Sequence, residues 1–169
     1  EYYTLFQKNA SDTTDCLIKR DGTTTQAYTY AQKINAQIAN MDEILMQSEH
    51  KGIIAVGSKA QQHTADVNCR LEAFKELTGV TASNGALVGC FECNSKTVLY
   101  VVNYDMSYAQ NITLQFNGAK SLTMYTSSTQ SLTAAQSHTI RLGAGSAAPQ
   151  RHLPPGRWKG SFLFPVFSA

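Results

Sequence analysis

The chain has 169 residues, a formal net charge of +2, and charged residues make up 15% of it. This length suits one medium domain or a small domain with a flanking piece. Without a Lys/Arg cluster or an apolar run of about 18 to 20 residues, the sequence predicts no nucleic-acid partner and no membrane span. The low charge favours an extracellular or cell-envelope location over a cytoplasmic one. Because the chain opens with Glu1-Tyr2-Tyr3 and no Met, we expect a fragment of a longer protein.

The first 50 residues predict a short strand and a long helix. Residues 2–6 are aromatic and predict the strand, and the polar residues 7–22 predict a loop that ends in an Asp21-Gly22 turn. A brief extended piece is expected within it at residues 16–18. The hydroxyls of residues 23–25 offer an N-cap for a helix over residues 25–47. Its apolar positions recur in steps of three and four: Ala27, Tyr30, Ala31, Ile34, Ile38, Met41 and Leu45. This stripe is typical of a helix that packs on a core.

The next segment predicts a strand, a loop and a second helix. Residues 52–57 are apolar between two glycines and predict a short strand, and residues 58–64 predict a polar loop. Residues 66–78 carry Val67, Leu71, Phe74 and Leu77 near helical spacing, with Gly79 as a C-cap. They predict a short helix.

A β-meander follows and organises the rest of the chain. Strands are predicted at residues 86–93, 97–104 and 111–116 from their β-branched and aromatic residues. Residues 98–102 are apolar on both faces, so this middle strand should be buried on both sides. Asn117-Gly118 predicts a turn, and residues 121–126 and 138–142 alternate as two further strands separated by a loop over residues 127–135. The predicted fold is mainly β, an antiparallel β-sandwich preceded by a long amphipathic helix.

The last 23 residues differ in composition. All four prolines and the single Trp fall in this part of the chain. We expect residues 147–169 to be an irregular tail, with the alternatives of a small aromatic docking patch or of sequence foreign to the native reading frame.

The four cysteines include a C-x-x-C motif at Cys90 and Cys93. In an extended strand, residues three apart point to opposite faces, so the two thiols should diverge. A zinc site would need a second close ligand pair, which the sequence lacks. We therefore expect free thiols on a strand, with neither a metal site nor a disulfide framework.

No catalytic constellation is evident. Glycoside hydrolysis needs two carboxylic acids, about 5 Å apart for retention. Among the acidic residues, only Glu92 and Asp105 lie on or at the end of strands that can bring them together, and we do not expect this pair to be catalytic. The four histidines are isolated, and no nucleophile elbow or phosphate-binding glycine loop occurs. We expect no catalytic residue, metal or cofactor within this chain.

A set of aromatic and amide residues could bind sugar. Exposed aromatic rings stack on pyranose faces, and carboxylate and amide groups bond to the hydroxyls. Tyr100, Asn103, Tyr104, Asp105 and Tyr108 offer such a set at the end of the predicted central strand. Tyr125, Asn111 and Gln115 extend it. The alternative is that these residues serve packing and turns.

Several motifs resemble a known family. The strand Tyr-Tyr-Thr-Leu-Phe (residues 2–6) is followed by Ile-Lys-Arg-Asp-Gly-Thr (18–23) and by Tyr-Thr-Tyr-Ala-Gln-Lys-Ile-Asn (28–35). This order resembles the last strand and helix of the (β/α)8 barrel in bacterial glycoside hydrolases of the retaining, two-carboxylate clan. Residues 79–80, 85–89 and 101–104 resemble the small β-sandwich that often follows that barrel. The resemblance covers roughly residues 1–146.

The resemblance implies three parts of the chain. Residues 1–50 would be the last strand and helix of the barrel, residues 51–146 the C-terminal β-sandwich and residues 147–169 the tail. The catalytic carboxylates of that family lie on earlier barrel strands, so no residue here inherits their role. Phe6 and Gln7 would lie at the end of the barrel strand that faces the reacting sugar. Residues 147–152 are a poor match to the family's final apolar strand.

Three functions follow as expectations. The first is a non-catalytic accessory region of a bacterial glycoside hydrolase, partnered by the rest of the parent barrel. The second is an autonomous carbohydrate-binding module for oligo- or polysaccharide. The third is a structural or oligomerisation domain without a ligand. If the helix and strand are severed from a barrel, exposed apolar faces would favour a homodimer.

Overall fold

The computed structural model describes residues 16–126 and 128–144 and the backbone of residues 164–167. Over these residues the protein is mainly β, as the sequence predicted, and its strands pair in antiparallel ladders. The chain divides into two compact units, Glu1–Ala39 and Asn40–Ala169. The strand predicted at residues 2–6, with Phe6 and Gln7, lies outside the described residues.

The described part of the first unit is a turn followed by helix α1 (Gln26–Ala39). Asp21 accepts hydrogen bonds from the Thr23 amide (2.9 Å) and hydroxyl (2.6 Å), and Gly22 has φ +82°, which forms the predicted turn. Thr25 lies directly before α1. Its hydroxyl accepts a hydrogen bond from the Tyr28 amide at 3.4 Å and donates one to the Cys16 carbonyl at 2.6 Å. The predicted N-cap is therefore confirmed.

The prediction of a single helix over residues 25–47 is wrong. Helix α1 ends at Ala39, and a separate helix α2 (Asp42–Gln47) begins three residues later, in the second unit. Between them the Asn40 side chain donates a hydrogen bond to the Thr126 carbonyl at 3.1 Å, and Met41 has φ −135°. Met41 is 2% exposed and packs with Val98. These contacts with residues distant in sequence interrupt a helix that the apolar period alone would continue.

Strand β1 (Glu49–Val56) confirms the strand predicted at residues 52–57 and extends it. The predicted loop that follows is instead helix α3 (Ser58–His63). Its Ala60 is fully buried, and the Thr64 hydroxyl donates to the Ala60 carbonyl at 2.8 Å. Burial of one small side chain thus fixes a helical turn in a stretch whose polar composition indicated loop.

The second predicted helix, residues 66–78, is absent. The segment forms turns and bridges, and Leu77 begins strand β2 (Leu77–Ala82). The Leu71 amide donates to the Ile53 carbonyl at 2.8 Å, so the backbone here bonds to β1 rather than to itself. Leu71 and Phe74 contact the main core from this extended path. The apolar residues of this segment therefore have helical spacing in the sequence but reach the core from a non-helical backbone.

The predicted meander is confirmed at its first two strands, β3 (Ala86–Cys93) and β4 (Lys96–Asn103). They are joined by Asn94 and Ser95, with φ +50° and +65°, as a two-residue hairpin turn of the mirror-image type requires.

The turn predicted at Asn117-Gly118 does not form. Strand β5 (Gln110–Tyr125) runs through it and unites two predicted strands, while β6 (Thr129–Leu142) includes most of the predicted loop. The β5–β6 register shifts between Gln115 and Leu122, so the Asn-Gly pair lies in an irregular part of a long strand rather than at its end.

The strand order is β1-β3-β4-β7-β5-β2, with β6 paired to β5. Strand β7 (Phe164–Phe167) lies within residues 147–169, which the sequence predicted to be an irregular tail. It pairs with Leu122–Tyr125 of β5 and, at one position, with β4. Residues 145–163 lie outside the described residues.

Two apolar clusters lie on the two faces of β3 and β4. Leu99 and Val101 face the larger cluster, which draws residues from β1 to β6, and Val98 faces a smaller one with Met41. The prediction that β4 is buried on both sides is confirmed. Cys90 belongs to the larger cluster and Cys93 to the smaller, so the two free thiols diverge as predicted. None of the described helices is long and apolar enough to cross a membrane.

Candidate functional site

Four of the residues predicted to bind sugar, Asn103, Tyr104, Asp105 and Tyr108, lie at the C-terminal end of β4. There the β4–β5 connection (residues 104–109) lies beside the β2–β3 connection and helix α3, all within the second unit. We call the exposed and half-buried residues of this region the Tyr108 surface; its members are His63, Asn84, Tyr104, Asp105, Met106 and Tyr108. Three of the predicted residues, Tyr104, Asp105 and Tyr108, belong to it.

Asn103 supports this surface from below rather than forming part of it. It is 1% exposed, and its amide donates hydrogen bonds to the carbonyls of Tyr108 (2.9 Å) and Gly143 (2.6 Å). Its side-chain oxygen accepts bonds from the Asp105 amide and from the Gln110 side chain. A fully bonded, buried amide has no atom left for a ligand, so the role of Asn103 is to hold the β4–β5 connection in place.

Gln110 links the same network to the neighbouring connection. Its amide donates to the Gly85 carbonyl at 2.6 Å, and its oxygen accepts from the Asn84 amide at 2.9 Å. It is 4% exposed. Together, Asn103 and Gln110 tie the ends of β3, β4, β5 and β6 into one hydrogen-bonded layer under the surface.

Asp105 shapes the connection through its carboxylate. One oxygen accepts hydrogen bonds from the backbone amides of Ser107 (2.7 Å) and Tyr108 (3.0 Å), and the other accepts one from the Asn84 side chain (2.6 Å). These bonds, first among them that from Ser107, hold the pKa of Asp105 below its ordinary value of 3.8, and the charge of Lys59 acts in the same direction. Asp105 therefore stays ionised at neutral pH and fixes the backbone of Tyr108.

Tyr104 and His63 form a second fixed pair. The Tyr104 hydroxyl and the His63 Nδ1 share a hydrogen bond of 2.8 Å, and the two rings meet edge to face with centroids 5.8 Å apart. Helix α3 supplies His63 and the β2–β3 connection supplies Asn84. Neither residue was among those predicted from the sequence to bind sugar. Neither position carries a sequence signal, because both reach the surface only through the pairing of elements far apart in the chain.

Met106 and Tyr108 are the most exposed apolar side chains of this region, at 58% and 69%. The backbone of Tyr108 is held by its bonds to Asp105 and Asn103, and the Ser107 amide, which follows Met106, is held by Asp105. An aromatic ring on a fixed backbone presents a flat face to solvent at little entropic cost on binding. The surface thus combines the exposed Tyr108 ring with four polar groups. These are the Asp105 carboxylate, the Asn84 amide, the His63 imidazole and the Tyr104 hydroxyl.

Tyr100 lies elsewhere. It packs in the smaller cluster with Val98 and Phe91, on the other face of β4 from the Asn103 network. Burial raises the pKa of its hydroxyl. The structure therefore separates Tyr100 from the other predicted residues and gives it a place in packing.

The structure does not bring together Glu92 and Asp105, the two carboxylates that the sequence places on or at the end of strands. Glu92 lies opposite Thr97 in the β3–β4 ladder, and Asp105 follows the other end of β4. At about 3.3 Å per residue, the two are on the order of 25 Å apart. Glu92 instead binds Lys75 at 2.6 Å, and this bond lowers its pKa. Nor do the described residues bring three or more His, Cys, Asp or Glu together as metal ligands.

Comparisons with protein-family models, with curated proteins and with solved structures each found no match to this chain. Its function is therefore inferred from the residues of the site.

Proposed function

We propose that this chain is a non-catalytic, carbohydrate-associated accessory region of a bacterial glycoside hydrolase, and that the Tyr108 surface is its contact with oligo- or polysaccharide. The observation that carries the proposal is the 69% exposed Tyr108 ring on a backbone fixed by Asp105 and Asn103. A tyrosine ring that is mostly solvent-facing contributes little to packing, and on a backbone held by hydrogen bonds it suits stacking on a sugar ring.

The polar groups around Tyr108 suit sugar hydroxyls. Sugar recognition needs donors and acceptors at fixed positions beside an aromatic face. The Asn84–Asp105 pair offers an amide and a carboxylate, and the His63–Tyr104 pair offers an imidazole and a phenol. Each pair is held by a hydrogen bond, so little side-chain freedom would be lost on binding.

The Tyr108 surface presents one exposed aromatic ring, which supports a weak, multivalent mode of binding. One stacked ring with a few hydrogen bonds is expected to bind a single sugar with a Kd on the order of 1 mM. A polysaccharide offers many such sugars, and the parent enzyme would add its own binding site. An accessory role that keeps an enzyme near its polymeric substrate fits this strength.

The finer architecture that we infer is a β-sandwich. The large cluster combines side chains of β1, β3 and β4 with those of β2, β5 and β6, as two facing sheets would. The motif order in residues 1–35 supports a parent (β/α)8 barrel. An extracellular or envelope location would place such a region near polysaccharide.

The test is affinity gel electrophoresis of the full chain through a panel of soluble plant and microbial polysaccharides, with release of reducing sugar assayed in parallel. We expect retardation in at least one gel without sugar release, and its loss in Tyr108→Ala. Met46→Ala is the matched control, since Met46 is 85% exposed on α2, outside the Tyr108 surface. Equal retardation of both variants, or none for the wild type, would reject the proposal; sugar release would show that the chain is catalytic.

The alternative of a structural or oligomerisation domain has one observation in its favour. Met46 is a large apolar side chain left almost fully exposed on a short helix. If α2 is an oligomer contact, light scattering will show a dimer of the wild type that Met46→Ala converts to a monomer.

A further inference from the structure

A second feature of the molecule lies at the opposite end of β4 from the Tyr108 surface. A groove of about 270 Å³ opens beside the β3–β4 hairpin turn. We call it the hairpin groove. It is lined by three lysines, by Glu76 and by residues of the turn: Lys75, Lys96, Lys120, Asn94, Ser95 and Thr97.

The cations of the hairpin groove outnumber its anions. Lys75 forms an ion pair with Glu92 at 2.6 Å, and Lys120 forms a longer one with Glu76 at 3.9 Å. Lys96 is exposed and forms no ion pair with any described residue. Glu76 is itself bonded to the Thr97 hydroxyl at 3.4 Å. Lys96 is thus the lining ammonium group without an ion pair among the described residues, and Lys120 lines the same groove in a 3.9 Å ion pair with Glu76.

Two tight turns border this groove. Within the described chain, the non-glycine residues with positive φ are Lys75 (+48°), Asn94 (+50°) and Ser95 (+65°), and all of them line it. The hairpin turn accounts for Asn94 and Ser95. Lys75 lies in a second tight turn, in which Phe74 and Leu77 exchange backbone hydrogen bonds of 3.0 and 2.9 Å, and this turn accounts for its positive φ.

Lys120 is placed by an irregularity in β5. The β5–β6 register shifts on both sides of Lys120, and bulges of this kind redirect a side chain. The carbonyl of Lys120 accepts a 2.8 Å hydrogen bond from His138 Nε2, and His138 is 8% exposed. The strand irregularity is therefore held by a buried contact, which fixes the Lys120 backbone beside the groove.

We propose that the hairpin groove binds an oxyanion: a carboxylate, sulfate or phosphate group. Lys96 supplies the unpaired charge, Lys120 adds a second ammonium group that is already paired with Glu76, and the Ser95 hydroxyl supplies a neutral donor. A water molecule occupies about 30 Å³ in the liquid, so the groove has room for a small oxyanion with several waters. This site is independent of the Tyr108 surface.

The test is a titration of the full chain with inorganic phosphate, sulfate and glucuronate at constant ionic strength, followed by amide chemical shifts of residues 95–97. We expect saturable shifts, a roughly threefold to tenfold weaker affinity in Lys96→Ala, and retention in Lys96→Arg. Lys33→Ala, which removes an exposed charge from α1, should leave the affinity unchanged. Preference among the three anions would distinguish an acidic sugar from a phosphate or sulfate source. Linear shifts, or equal affinity in Lys96→Ala and Lys33→Ala, would overturn the proposal.

Discussion

The Asn84 side chain donates a 2.6 Å hydrogen bond to the Asp105 carboxylate, and this bond joins the β2–β3 connection to the β4–β5 connection. The two residues are 21 positions apart in the chain. Because Asp105 also holds the amides of Ser107 and Tyr108, one carboxylate couples the position of two loops. The Tyr108 surface depends on this coupling and on the buried amides beneath it.

Replacing Asn103 should destabilise the protein strongly. Asn103→Ala removes a buried side chain that bonds to Tyr108, Gly143, Asp105 and Gln110, and it leaves several of those groups unsatisfied. We expect a loss of about 2 to 4 kcal/mol in the free energy of unfolding, measured by urea denaturation. Asn111→Ala, at an exposed position of β5, should change it by less than about 0.5 kcal/mol. Similar losses in both variants would show that the buried network does not matter.

Asp105 should make the stability of the protein sensitive to acid. Its folded-state pKa is below the ordinary value of 3.8, so its contribution is fully present above that value and is lost as the pH falls through the folded-state pKa. The stability difference between the wild type and Asp105→Asn should therefore shrink on acidification from about pH 6 to pH 2. Asp66→Asn, at an exposed turn position, serves as the control. A difference that stays constant over this pH range would contradict the assignment.

Gly57 cannot carry a side chain. Its φ is +85° and ψ 145°, and an added Cβ would lie 2.3 Å from the Asn84 carbonyl oxygen. Gly57→Ala should cost about 2 to 4 kcal/mol of unfolding free energy and displace Asn84 from Asp105. Gly118→Ala meets nothing within 4 Å and should be close to neutral. Thermal denaturation of both variants measures the contrast, and an unaltered Tm for Gly57→Ala would be inconsistent with this backbone.

Cys90 should be inert in the folded protein. Its side chain is fully buried, and burial raises the pKa of the thiol to about 12. Since the thiolate is the reactive form, alkylation near pH 8 should label the part-exposed Cys69 and Cys93 well before Cys90. Peptide mass spectrometry after timed labelling gives the order, and labelling in urea shows that all sites are competent. Labelling of Cys90 at the same rate as Cys69 in the native protein would rule out this burial.

The sequence correctly predicted those features that depend only on residues close together in the chain. Residues 98–102 predicted a strand buried on both faces, and Val98 and Leu99 do face different clusters. The divergence of Cys90 and Cys93 followed from the two-residue period of a strand. The Asp21-Gly22 turn and the Thr25 cap also followed, because each is set by hydrogen bonds within a few residues.

Tertiary contacts decided the rest. The apolar stripe of residues 25–47 is helical in period, yet Met41 packs with Val98 and Asn40 bonds to Thr126, so the helix breaks there. The Asn117-Gly118 pair has turn chemistry, but pairing of β5 with β6 continues on both sides of it. In both places the contacts come from residues well separated in sequence, and no local period records them.

The residues of the candidate site also fall into two groups, those that the sequence predicted and those that only the folded structure brings to the site. The sequence by itself determined that Tyr104, Asp105 and Tyr108 would lie together, because they share one connection after a strong strand. It could not determine that Asn103 is buried, that Tyr100 faces the other cluster, or that His63 and Asn84 complete the surface. Those outcomes depend on which strands pair and in what register, and pairing joins residues such as Asn84 and Asp105 only after the chain has folded.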